Sequence, residues 1–159
     1  DIYYDDGMID ELYHIYEQSD KKSVVCRGGK CIVKNEKKIV SYSKLPDICN
    51  SKEMDAKIPF GVAGVLYPPH LFGDEMFNMS AMKQLAPKAD DIWFAAMELY
   101  YGIHTVYVYN NSWKGVSVDR NEEYNGAVSG ALYQFNDLQG QNDVQWDAVV
   151  AHYNLSDKM

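Results

Sequence analysis

The chain reads as a single mixed domain of the α/β or α+β class, a mixed sheet with helices packed on it. Three observations carry this expectation. Short runs with β character and longer runs with helical period interleave along the chain. The length, 159 residues at 47% hydrophobic, suits one real core. One segment, from Pro87 to Tyr101 with Gly102 just beyond, carries a helix start, an apolar period and a stop in order.

Taken in order, residues 5–16 predict a helix, with Asp5 and Asp6 as caps and Met8, Ile9, Leu12, Tyr13 and Tyr16 recurring at three- and four-residue spacing. Two β runs at 23–27 and 31–34 flank Gly28-Gly29, which reads as a hairpin turn, and a third run follows at 38–43. Residues 45–57 are polar and irregular, a surface loop. Residues 58–66 are apolar, punctuated by Gly61 and Gly64 and closed by Pro68-Pro69. Glycine inside such a run marks close approach by another backbone or a ligand. A short helix is expected over 76–85, the main helix over 87–101, and a strand over 104–109. Residues 110–126 read as a loop, and 129–135 as a short helix or strand. Asn142 and Gln145 have the form of a capping box, opening a last helix to about Tyr153 with Val144, Ala148, Val149 and Tyr153 inward. The sheet should hold four to six strands.

The net charge of −8 excludes a nucleic-acid backbone as the main partner, because no basic stripe offsets the acids. No stretch approaches the roughly 20 apolar residues of a membrane span. Cys26, Cys31 and Cys49 form no Cys-x-x-Cys pair. Cys26 and Cys31 could approach across the expected hairpin, but reduced thiols in a cytoplasmic protein are the preferred reading.

Asp90 and Asp91 stand in or beside the first turn of the main helix. Unpaired backbone N–H groups and the positive dipole end there favour the ionised form. A charged, aimed carboxylate can act as a general base toward a hydroxyl. Acids at that place also serve as plain helix caps, and from local sequence both readings stand.

Gly64-Val-Leu-Tyr67-Pro-Pro, followed about twenty residues later by Leu85-Ala-Pro87-Lys-Ala-Asp90-Asp91-Ile-Trp93, then Met97 and Gly102, resembles the acceptor-side half of bacterial GT-A glycosyltransferases that build capsular and surface polysaccharides. Ala86 stands where that family commonly has Cys. Phe135-Asn136, Gly140 and Asn142-Asp143-x-Gln145 resemble the family's tail. Asp1-Ile-Tyr-Tyr4 resembles the end of its Asp-rich metal motif, with Asp5 in place of a proline.

The resemblance implies the C-terminal part of a GT-A fold, with residues 1–159 a fragment of a longer catalytic domain. It implies transfer of a sugar from a nucleotide-sugar donor to a glycan acceptor, dependent on Mn²⁺ or Mg²⁺. Asp91 would be the catalytic base and Asp90 would bind the acceptor, with the reverse assignment open. Gly64, Val65 and Tyr67 would line the sugar site, where backbone must come close. Trp93 would stack on a sugar face or pack in the core. Asp1 would be one metal ligand and His152 a second. The full-length protein would be cytoplasmic, with peripheral association at the inner face of the cell membrane as a further option. Whether the chain alone is active stays open. The competing reading is a non-catalytic carbohydrate-binding or assembly module that uses its aromatic side chains.

Overall fold

The computed structural model describes residues 2–19, 21–48, 56–108, 116–117 and 134–159. It is a mixed α/β structure of small sheets with four α-helices among the described residues. The chain runs β1 (Ile2–Tyr3), α1 (Met8–Gln18), β2 (Ser23–Cys26), β3 (Gly29–Cys31), β4 (Lys34–Asn35), β5 (Lys38–Ile39), β6 (Lys57–Pro59), β7 (Val65–Leu66), α2 (Met79–Leu85), α3 (Asp90–Tyr101), β8 (His104–Tyr107), β9 (Val116–Ser117) and α4 (Gln141–His152). A short π turn, Gln134–Leu138, precedes α4.

The central sheet has three strands in the order β7-β2-β8. β2 lies parallel to β8, Ser23 opposite His104 and Cys26 opposite Tyr107. All four residues of β2 are buried, as expected of a strand covered on both faces. β7 adds antiparallel, Cys26 opposite Val65. The expected hairpin between β2 and β3 is not formed. β3 pairs instead with β6, Gly29 opposite Pro59. A Cβ on Gly29 would sit 2.3 Å from the Ile58 carbonyl oxygen, so that approach requires glycine. Cys26 and Cys31 are buried free thiols, and burial pushes Cys26 up to about 12. The run over 58–66 is split: β6 and β7 belong to different sheets, separated by a 3-10 turn at Gly61–Ala63. The largest sheet among the described residues has three strands, below the expected four to six.

The main core gathers round α3 and α4. Ile92, Trp93, Ala96 and Met97 pack with Trp146, Val149 and Leu155, together with Ile32 and Ile58 from the β segments. Both buried indoles are satisfied, Trp93 Nε1 donating to the Met76 carbonyl and Trp146 Nε1 to the Val40 carbonyl, each at 3.1 Å. α3 ends where the sequence says, on Gly102 in the left-handed region at φ +67. α2 starts on Asn78, whose side chain accepts from the Ala81 amide.

Two helix expectations need correction. α1 begins at Met8, and its buried side turns Leu12, Met8, Ile15 and Tyr16 toward Val25 and Val108. Ile9 and Tyr13, counted as core by spacing, are 71% and 54% exposed. At α4 the capping box is absent: the helix opens on Gly140 without a side-chain cap bond, and Val144 is exposed. Gln145 is buried and used elsewhere. Much of the expected loop over 110–126 and part of 45–57, with Cys49, lie outside the described residues.

Candidate functional site: Asp91 and the glycine loop

α3 opens on Ala89, which has no capping side chain, so Asp90 and Asp91 are the first two helical residues and neither caps the helix. Asp90 faces solvent, while Asp91 is half-buried. Adjacent helix positions differ by about 100°. Asp91 therefore turns back toward the β6–β7 connection. Its Oδ1 accepts a hydrogen bond from the Gly61 amide at 2.9 Å. A Cβ on Gly61 would lie 2.9 Å from that same oxygen. Glycine lets the loop reach the carboxyl.

The protonation of Asp91 runs opposite to the sequence expectation. Burial beneath the loop pushes its carboxyl up to about 6, the Gly61 amide pulling it down and the Asp90 charge raising it further. The helix terminus by itself favours the ionised form. Desolvation outweighs it, because the loop covers the carboxyl.

Beyond Gly61 the chain makes a 3-10 turn and passes through Gly64 at φ +98, a conformation L side chains rarely adopt. Gly64 is buried against Met8 and Arg27, and its carbonyl accepts from the Arg27 amide at 3.1 Å. Val65 is half-buried and pairs with Cys26 in the central sheet. Tyr67 is half-buried, its ring 5.0 Å from Phe94 on α3. Its hydroxyl is buried with no hydrogen-bond partner. Burial first, then the nearby Glu98 and Asp91 carboxyls, push the phenol above its ordinary range. Asp91, Phe94 and Glu98 are three and seven residues apart, one face of α3. Tyr67 packs on Phe94 of that face and leaves its own buried hydroxyl unsatisfied.

Two further clusters hold the site and were not read from the sequence as positioning devices. Gln145 and Asn136 clamp Lys88, two residues before α3. Gln145 Oε1 accepts from the Lys88 amide at 2.9 Å, Asn136 Nδ2 donates to the Lys88 carbonyl at 2.7 Å, and Gln145 Nε2 donates to Asn136 Oδ1 at 3.3 Å. Lys88 Nζ also lies 3.9 Å from the Phe135 ring centroid. The second cluster is Arg27, 2% exposed below the glycine loop. Its Nη1 donates to Asp5 Oδ2 at 2.8 Å, and its Nε lies 3.0 Å from Glu11 Oε2 without an aligned hydrogen bond. A buried arginine at the end of a strand leaves no local sequence signal beyond its charge, since the partners come from α1.

The remaining expected site residues fall elsewhere. Trp93 is fully buried in the main core, so it offers no face to a sugar, and this corrects the stacking assignment. His152 is exposed at the end of α4, its ring 4.7 Å from Tyr153. Asp1 lies outside the described residues. Among the described residues no group of three or more His, Cys, Asp or Glu side chains is placed to hold a metal ion. The described residues thus do not fit a divalent-ion centre. Among them, too, no helix is long and apolar enough to cross a membrane. Comparison with family models, with curated proteins and with solved structures found no match to this chain.

Proposed function

We propose that the chain is the acceptor-binding part of a GT-A glycosyltransferase, in which Asp91 takes the proton from an acceptor hydroxyl as that hydroxyl attacks a nucleotide-activated sugar. The observation that carries this is the Asp91–Gly61 hydrogen bond. It joins the two segments on which the family resemblance rests, and it fixes one carboxyl oxygen while leaving the other to act.

The chemistry suits the environment. A general base works best with a pKa near the operating pH, and burial brings Asp91 to about 6. Anchoring through a backbone amide removes rotamer freedom that a reacting group would otherwise have to lose. Solvent-facing Asp90 is the better candidate for holding a second acceptor hydroxyl. Asp1, the acid expected among the ion's ligands, lies outside the described residues.

The test is a pair of substitutions in the full-length enzyme, Asp91→Asn and Asp90→Asn, assayed by initial rates against acceptor concentration. Loss of turnover in the first and a raised KM in the second support the assignment. The opposite pattern reverses the two roles. Full activity in both leaves a carbohydrate-binding or assembly module as the better reading.

A further inference from the structure

At the far end of α3 a cavity of about 460 Å³ opens between the helix end, the β3–β4 segment and the C-terminal turn. Its size falls within the ordinary range for small-molecule pockets. Its wall residues segregate by exposure. Ile32 and Leu99 are buried and Val33, Ala56 and Ile103 half-buried, which makes the interior apolar. Lys34 is half-buried and His104 and Lys158 are exposed, which makes the mouth basic. In a chain of net charge −8 that is a local reversal of sign.

The acid in the wall does not cancel this charge at the mouth. Glu98 is 2% exposed, and its carboxyl turns to the Thr105 hydroxyl, toward Lys57 and Tyr67. The helix end is closed as well. The Gly102 amide donates to the Leu99 carbonyl at 3.2 Å and the Ile103 amide to the Glu98 carbonyl at 2.8 Å, so these two terminal carbonyls are already paired. Lys34 Nζ donates to the Ser156 carbonyl at 2.6 Å and to the Met159 carbonyl at 3.1 Å. Lys158 Nζ donates to the Tyr100 carbonyl at 3.4 Å. An ammonium has three donors, so each lysine keeps at least one for a ligand. Neither lysine pairs with an acidic side chain among the described residues, and there the His104 imidazole has no partner.

We infer that this cavity is a second binding site, for a small amphiphile whose apolar body enters between Ile32, Leu99 and Ile103 and whose anionic head stays at the mouth with Lys158, His104 and Lys34. The apolar walls select the body, since burying it removes apolar surface from water. The basic mouth selects the head. A carboxylate there stays partly hydrated and accepts charge-assisted hydrogen bonds, so it escapes the cost of full burial. A cationic head would meet like charge, and a neutral one would leave the basic groups unused. The inference does not depend on the sugar-transfer reading, since neither Asp91 nor the glycine loop lines the cavity.

The experiment is NMR titration of the labelled chain with sodium octanoate, n-octanol and octylamine. Saturable shifts at Ile32, Ala56, Leu99 and Ile103 are expected with octanoate, with n-octanol weaker and octylamine weakest. Lys158→Met removes an exposed charge and keeps most of the stem, so the fold should hold, as a thermal melt will verify. It should weaken octanoate about fivefold, the size of one charge-assisted contact near the surface, and leave n-octanol within about twofold. Ile103→Trp, which narrows the cavity and leaves the basic groups intact, should abolish the shifts with all three. No saturable shift with octanoate, n-octanol or octylamine binding as tightly as octanoate, or Lys158→Met weakening octanoate and n-octanol equally or neither, would each overturn the inference.

Discussion

Asp91 and Gly61, thirty residues apart, are joined by a single hydrogen bond from the Gly61 amide to Asp91 Oδ1 at 2.9 Å. That bond holds the glycine loop over the start of α3. It also explains why Asp91 is desolvated while its neighbour Asp90 is not.

The first prediction is a gain in stability from Asp91→Asn. Burial raises the folded-state carboxyl from 3.8 to about 6. The folded chain therefore keeps a proton that the unfolded chain releases between those values, and stability falls as pH rises through that window. Asn keeps Oδ1 as an acceptor for Gly61 and carries no charge. Because water still reaches this half-buried group, the gain at pH 7 should be roughly 1–2 kcal/mol, vanishing near pH 4. Denaturant melts of the two proteins across that range measure it, and equal stability at pH 7 would count against the desolvation of Asp91.

Gly61→Ala should break the contact from the other side. The added Cβ would stand 2.9 Å from Asp91 Oδ1, so the carboxyl must swing away or the loop must lift. Loss of the bond and the strain together should cost about 1–2 kcal/mol. Under the proposed function, transfer should fall about tenfold or more through misplacement of the base. Unchanged rates would separate the loop from the chemistry.

How much of this was legible follows from where each cause lies. The end of α3 is local, set by the apolar period and by the glycine at 102, whereas its start falls at Asp90 and not at the expected Pro87. The meeting of Asp91 with the glycine loop was expected only as two motifs of one site, and the structure brings them into hydrogen-bond contact. Strand pairing was misread because Gly28-Gly29 looks like a turn, whereas Gly29 serves close approach by the backbone at Ile58. The raised pKa of Asp91 was misread because the helix terminus is local and the desolvating loop is not. The roles of Arg27 and Gln145 depend on partners more than fifteen residues away, Asp5 and Glu11 for one and Lys88 for the other.

Glu98→Gln should flatten the stability–pH curve at a second place. Burial pushes Glu98 from 4.5 to about 8, offset in part by Thr105 and Lys57. Stability of the parent should thus decline as pH climbs between those values and level off above them. The Gln variant should lack that decline, with the difference measured by melts at pH 5, 7 and 9. A parallel decline in both proteins would show that Glu98 titrates outside this range.

Trp93→Phe should act on stability alone. The indole is fully buried and donates to the Met76 carbonyl. Its loss leaves a small cavity and an unpaired carbonyl, about 2–3 kcal/mol. Under the proposed function, acceptor KM should stay within about twofold, because a side chain wholly inside the core makes no contact that binds acceptor. A large KM change with an intact fold would return Trp93 to the sugar site.

The most direct test of the proposed function is the pH dependence of kcat/KM for sugar transfer, for the parent and for Asp91→Asn. The parent should show an acidic limb with an apparent pKa near the Asp91 value of about 6. Asp91→Asn should lose at least about 10²-fold at neutral pH, the usual size of a general-base contribution, and the limb should vanish with it. A variant as fast as the parent, with the same limb, would contradict the assignment of Asp91 as the base.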